Sequence, residues 1–413
     1  MIRTGALRTV ATVAQRVVPQ HIEVREGRLP QSQSPFVPKL EFFNSVTANG
    51  QQIPTYRVLD GSGTLLEEAT LPEIDEASAR KIYEHMQLLP AMDTILYNVQ
   101  RQGKISFYYG EEATVVGAAA ALEPHDEVLG QYRESGVLLW RGFGIDNIMA
   151  QCLGNEEDMS TKGRQMPVHF ASRKHHFHSI SSPLATQIPQ AAGVGYALRR
   201  TPQRSNSIAV CFMGEGAASE GDFHAGLQMA STIPSPTMFI VRNNGFAIST
   251  PSTEQYHGDG IASRGPGYGI DTIPLREARR RCLEQSRAVL VEAMTYRLFV
   301  SHVYIPALVH HSTSDDSFAY RARSEVEDRK RIDNPIVRLR RFMEQRGWWS
   351  AEEEDALKAE LFNDVYAGQE PWTIQEQRRE LAGLLRKYGE AWDPWKKELA
   401  RFKNNGRDLM DAK

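Results

Sequence analysis

"SIAVCFMGEGAASEGDFHAGLQMASTIPSPTMFIVRNNG", residues Ser207 to Gly245, decides the fold. Its first seven residues, Ser207–Met213, are apolar and rich in β-formers, and they stop at Gly214, which predicts a buried strand. Phe223, Leu227 and Ala230 then recur at the spacing of one helix face. Ser219 is the expected cap, with Glu220 and Asp222 near the positive end of the helix dipole. Pro234 and Pro236 end that helix, and Thr237–Val241 reads as a second buried strand running into Arg242-Asn243-Asn244. A strand–helix–strand unit of this length predicts parallel neighbours joined by a right-handed crossover. Both polar clusters then fall at the carboxyl ends of the strands, the edge where open α/β sheets bind ligands. A carboxylate, Glu215, and an amide, Asn244, meeting at that edge suit a hard cation such as Mg²⁺, which shares its shell with phosphate and water. Glycines at 214 and 216 allow backbone amides to approach the phosphates. The stretch carries neither a P-loop nor the dinucleotide fingerprint, since Ser219 stands where the third glycine belongs. The expected ligand is a metal-bound diphosphate.

The rest of the chain bounds the reading. Over 413 residues, 41% are hydrophobic and 24% charged, which is ordinary for a globular protein with a large core. A net charge of −3 gives no bulk attraction to nucleic acid, and no apolar run reaches the length of a membrane span. Cys152, Cys211 and Cys282 have no metal-ligand spacing and form no disulfide framework, which suits a reducing compartment. The opening residues hold Arg3, Arg8 and Arg16 with no acid before Glu23, the pattern of a mitochondrial transit peptide. The expected organisation is a transit peptide at 1–25, an extended arm at 26–75, an α/β ligand-binding domain at 76–335 and a helical C-terminal extension at 336–413. The extension is read from "VRLRRFMEQRGWW" and "EQRRELAGLLRKYG".

The pairing of "GEG" with "RNN" resembles the thiamine-diphosphate motif, with Glu215 in the position of the motif's aspartate. "GQYRESGVLLWR", "GRQMPVHF", "SSPLATQIPQAAGVGYA", "GEGAASEGD", "RNNGFAISTP", "GDGIASRGPGYGI" and "HHSTSDDSFAYR" resemble one family more narrowly. This is the alpha subunit of the branched-chain 2-oxo acid dehydrogenase decarboxylase component, and the likeness runs from about residue 35 onward. The fold so implied is the thiamine-diphosphate-binding α/β fold, a parallel sheet flanked by helices with a helical C-terminal extension.

The resemblance also implies roles. Gly214, Gly216 and Ala217 approach the diphosphate through backbone atoms. Glu215, Asn244 and the carbonyl of Phe246 hold Mg²⁺, with Phe246 replacing the family's usual tyrosine. Tyr132, Arg133 and Arg242 serve the phosphates, and Ser182 and Leu184 line the cofactor pocket. Ser181, Pro183, Thr186 and Gln187 resemble the family's K⁺ site. Taken alone, "SSPLATQ" is only a polar turn before a helix. His311 resembles the active-site histidine that moves a proton during acyl transfer, and His169 a second histidine near the active-site channel. Ser312 resembles a regulatory phosphorylation site, while the family's second such serine is Ala322 here. The cluster His175, His176 and His178 is read as packing rather than as metal ligands.

The implied activity is oxidative decarboxylation of branched 2-oxo acids, with acyl transfer to lipoyl groups. The implied partners are a beta subunit in an α₂β₂ tetramer, a lipoyl-bearing transacylase core, and a regulatory kinase and phosphatase. The implied location is the mitochondrial matrix. The alternatives are a non-catalytic assembly partner and a pyruvate-type alpha subunit. The chain departs from the family pattern at Pro274-Leu275-Arg276, at the insertion "LFVSHVYIPALV" (298–309), after Leu361 and near Tyr108. Val300-Ser301 can be encoded by a splice-donor-like sequence, so the insertion is read as retained intron, the alternative being a natural loop variant.

Overall fold

Five parallel strands form the sheet that carries the site, in the spatial order Glu127–Leu129, Ala209–Gly214, Thr237–Asn243, Val289–Met294, Asp271–Thr272. The computed structural model describes residues 36–37, 53–100, 111–154, 158–272, 275–296 and 315–366. The strand–helix–strand reading holds: Ala209–Gly214 and Thr237–Asn243 are parallel neighbours, with Gly214 opposite Arg242. The second strand is two residues longer than its apolar run. It also pairs with Val289–Met294, and that ladder continues to Asn243 opposite Met294.

The strands are buried on both faces, and their side chains divide by alternation. Val210, Phe212, Met238, Ile240, Val289 and Val291 face one core, which they share with Tyr83, Met86, Leu89, Met92 and Leu96 of helix Glu76–Gln100. Ala209, Cys211, Met213, Phe239, Val241 and Leu290 face the other, against helices Gln187–Arg200 and Gly221–Thr232. All three cysteines are free and buried within these layers. Phe223, Leu227 and Ala230 make the inward face of Gly221–Thr232 as their spacing predicts. Burying a side chain such as Phe223 contributes about 2 kcal/mol. The two helices meet at Gly226, where an added Cβ would stand 2.8 Å from the backbone nitrogen of Pro189.

One local expectation is corrected. Ser219 does not cap the helix: it ends a 3-10 turn, Ala217–Ser219, and extended Glu220 holds the N-cap position without a side-chain cap bond. The turn consumes the residues between strand and helix, so the helix starts one step later.

Beyond the sheet, helices Pro335–Gln345 and Ala351–Tyr366 pack against Glu76–Gln100. Asn334 caps the first of them, accepting from the amides of Ile336 and Val337. Glu354 accepts from the Tyr83 hydroxyl at 2.7 Å and from the Trp349 indole at 3.0 Å. The Tyr83 and Trp349 rings meet edge-on, 5.1 Å between centroids. The first stretch behind the C-terminal extension therefore forms a helix anchored on the domain core. "EQRRELAGLLRKYG", the transit segment, most of the arm and the 298–309 insertion lie outside the described residues.

Candidate functional site

The carboxyl ends of the two central strands bring together Glu215, Arg242 and Asn244, all buried. Ladder geometry explains why: Gly214 pairs with Arg242, and the Glu215 amide donates to the Arg242 carbonyl at 3.1 Å. Glu215 thereby sits beside the chain that turns at Asn243-Asn244, and its Oε2 lies 3.5 Å from the Asn244 amide nitrogen. Its other oxygen, Oε1, is buried with no hydrogen-bond partner. Burial and then the nearby Glu111 charge push the Glu215 carboxyl up to about 7. An orphaned buried carboxylate oxygen is costly unless a cation completes it.

The two asparagines divide their labour. Asn243 is structural: its amide donates to Glu292 Oε1 at 2.7 Å and to the Tyr256 hydroxyl at 3.1 Å, and its oxygen accepts from the Gly245 amide. Glu292 in turn accepts from the backbone amides of Ile261 and Ala262, which ties the turn to the neighbouring loop. Asn244 instead faces Glu111, donating from Nδ2 to Oε1 at 2.6 Å, while its oxygen accepts from the Phe246 amide at 3.1 Å. Gly245 takes φ +82°, which allows the reversal into the short Phe246–Ala247 strand. The Phe246 ring lies 5.8 Å from that of Tyr320, with the Arg321 guanidinium 5.2 Å away. The side chain is occupied by packing, which fits a site using only its carbonyl.

Arg242 is clamped by two acids that sequence reasoning missed. Its Nη1 donates to Glu111 Oε2, and its Nε lies 2.8 Å from Glu134 Oε1. The latter contact is an ion pair rather than a well-angled hydrogen bond. Burial alone would disfavour the arginine's charge, but Glu134 and Glu111 outweigh it and hold the group protonated. Burial likewise raises Glu111, yet Arg242 and Arg133 prevail and keep its carboxyl below the ordinary value. Glu112, buried beside it without that pairing, is pushed up to about 7, by burial first and the Glu111 charge as well. Glu134 follows Arg133 directly in "YRES", and Glu111–Glu112 open a helix.

The other expected residues are distributed as follows. Arg133 is buried, its guanidinium 5.9 Å from the half-buried Tyr132 ring. Gly216 is required by close approach, because a Cβ there would stand 2.9 Å from that of Ala247. Ala217 is buried in the turn beyond it. His169 is buried, with Nδ1 3.0 Å from the Pro167 carbonyl and Nε2 2.7 Å from the Ser182 hydroxyl. A carbonyl only accepts, so Nδ1 donates to Pro167. Leu184 is exposed, and so is Met166, whose sulfur is 3.7 Å from the Ser182 hydroxyl.

In the turn before Gln187–Arg200, the Thr186 hydroxyl is 3.4 Å from the Pro183 carbonyl, and Ser181 is half-buried. Gln187 donates to the Phe212 carbonyl at 2.9 Å, while its own Oε1 is buried without a partner. Oxygen donors are the kind of ligand a monovalent cation takes, and the orphaned one here is Gln187 Oε1. His176 and His178 both contact Glu127, at 3.0 and 3.1 Å, and His175 contacts Ser172. No grouping of three His, Cys, Asp or Glu suited to a metal occurs among the described residues. His311 and Ser312 lie outside the described residues.

Residues 83–371 match the protein family described as the dehydrogenase E1 component. The chain belongs to that family. Among E1-component relatives, the mitochondrial 2-oxoisovalerate dehydrogenase subunit alpha of Bos taurus is 46% identical over 400 residues, covering 88% of this chain and 84% of its own length. The corresponding Caenorhabditis elegans protein is 42% identical over 425 residues, 94% of this chain and 95% of its own. Subunit alpha 1 of Arabidopsis thaliana is 41% identical over 433 residues, 94% and 88% respectively. The parallel sheet with its strand-end carboxylate is thus the E1-component sheet, and the resemblance read from the motifs extends along nearly the whole chain.

Proposed function

We propose that this chain is the mitochondrial alpha subunit of a branched-chain 2-oxo acid dehydrogenase decarboxylase component, binding Mg²⁺-thiamine diphosphate and acting with a beta subunit. The observation that carries the proposal is the buried Glu215 at the strand ends, with Oε1 unpartnered and Oε2 3.5 Å from the Asn244 backbone nitrogen. The identity to 2-oxoisovalerate dehydrogenase alpha subunits supports the substrate class and the matrix location.

When bound, thiamine diphosphate supplies the nucleophilic carbon and the electron sink for decarboxylation. The chain's own residues do the holding. Glu215 and Asn244 offer oxygens to Mg²⁺, joined by the Phe246 carbonyl, and leave the remaining positions to phosphate and water. Arg242 and Arg133 neutralise phosphate charge, assisted by Tyr132, and a planar guanidinium does so bidentately. Gly214, Gly216 and Ala217 let the backbone approach closely. Ser182 and Leu184 form the pocket wall, with His169 orienting the Ser182 hydroxyl. Ser181, Pro183, Thr186 and Gln187 hold K⁺ and so brace the helix behind that wall. His311 moves the proton during acyl transfer to the lipoyl group of the transacylase core. Ser312 beside it is the site where a kinase and a phosphatase act, adding or removing about two negative charges.

The test is co-expression with a beta subunit and measurement of decarboxylation with an artificial electron acceptor. Turnover of 2-oxoisovalerate well above that of pyruvate, dependent on Mg²⁺ and thiamine diphosphate, is expected. An assembled complex without turnover, or one that prefers pyruvate, overturns the assignment.

A further inference from the structure

We infer that Glu111 is a positioning residue that ties the metal half of the site to the phosphate half, a role that rests on the reading of Asn244 as metal ligand and Arg242 as phosphate ligand. One carboxylate makes both contacts: Oε1 accepts from Asn244 Nδ2 at 2.6 Å, and Oε2 accepts from Arg242 Nη1. These are contacts between parts of the chain more than 130 residues apart in sequence, 133 and 131 respectively, so no local structure enforces them.

The first contact decides which way the Asn244 amide faces. An amide has one donating and one accepting end, and a carboxylate accepts only. With Nδ2 held by Glu111 and the Phe246 amide donating to Oδ1, the rotamer is fixed at both ends, and the oxygen stays on the side away from Glu111. Without Glu111 the Phe246 amide alone holds this orientation, and a flipped amide presents hydrogens to a cation. The second contact sets the plane of Arg242, which Glu134 brackets from the Nε edge. Four buried glutamates, at 111, 112, 134 and 215, surround buried Arg133 and Arg242. Of these acids, Glu111 alone accepts from the side chains of both Asn244 and Arg242 among the described residues.

A rival account has the opposite sign. If Glu111 merely occupied the place of a phosphate until the cofactor displaced it, removing its charge would tighten cofactor binding. As a positioning residue it does the reverse. Partners that orient a metal ligand are worth about 10- to 100-fold in metal affinity.

The experiment uses the assembled α₂β₂ protein stripped of cofactor. Mg²⁺ is titrated calorimetrically at saturating thiamine diphosphate for the wild type, Glu111→Gln and Glu111→Asp, with Tm recorded for each. Both substitutions are expected to weaken the Mg²⁺ dissociation constant by about tenfold or more. Gln keeps the shape without the charge, and Asp keeps the charge without the reach. Unchanged Mg²⁺ affinity with a lowered Tm overturns the proposal in favour of a structural acid, and tightened affinity overturns it in favour of a displaceable stand-in. Failure of the wild type itself to bind thiamine diphosphate in an Mg²⁺-dependent manner would instead sink the parent reading of the site.

Discussion

At the scale of single residues, the site is a problem of buried charge. Arg242 is fully enclosed and survives there because Glu111 and Glu134 flank it. Glu134 is itself held, accepting from the Gln131 amide at 2.5 Å. Removing one partner of such a group leaves an uncompensated charge, which costs roughly 3–5 kcal/mol. Glu134→Ala is therefore expected to lower unfolding stability by that order in urea titration, and a loss below about 1 kcal/mol would mean that water reaches the arginine. That Glu215 and Asn244 meet was legible in the sequence, because each follows the carboxyl end of one of two neighbouring parallel strands. Glu111 and Glu134 were not. Their function follows from pairings across the fold, and neither periodicity nor local motif records which arginine an acid will meet.

Among the elements, the two central strands were readable to within a few residues because a strand buried on both faces must be a continuous apolar run. The boundary errors have physical causes. Thr237–Asn243 outlasts its apolar stretch because a second neighbour, Val289–Met294, continues the ladder, and the misplaced helix cap comes from an intervening 3-10 turn. The edge strand Glu127–Leu129 is fastened differently, with Glu127 gathering His176, His178 and Arg204. Burial opposes its ionisation, but hydrogen bonds from His178, Arg204 and His176 prevail and draw the carboxyl down to about 2 from an ordinary 4.5. A depressed carboxylate contributes stability that is complete above its unfolded value and is lost as pH falls toward its folded one. The urea midpoint of the wild type is thus expected to exceed that of Glu127→Gln above pH 5, with the gap closing between about pH 4.5 and 2. A gap independent of pH would show that the glutamate acts through packing alone.

For the whole molecule, the motifs and the sheet agree on one ligand edge, and the matches across nearly the full chain give that edge a family. The C-terminal helices contribute at a distance by bracing Glu76–Gln100 through Glu354, Tyr83 and Trp349. The measurement that tests the account most directly is thiamine diphosphate binding to the apo-protein assembled with its beta subunit, wild type against Glu215→Gln, at fixed Mg²⁺. Loss of one charged ligand is worth about 1.5–3 kcal/mol, so affinity is expected to fall about ten- to a hundredfold, with the folded assembly intact. Wild-type affinity in Glu215→Gln would contradict the claim that this buried carboxylate holds the metal of the cofactor.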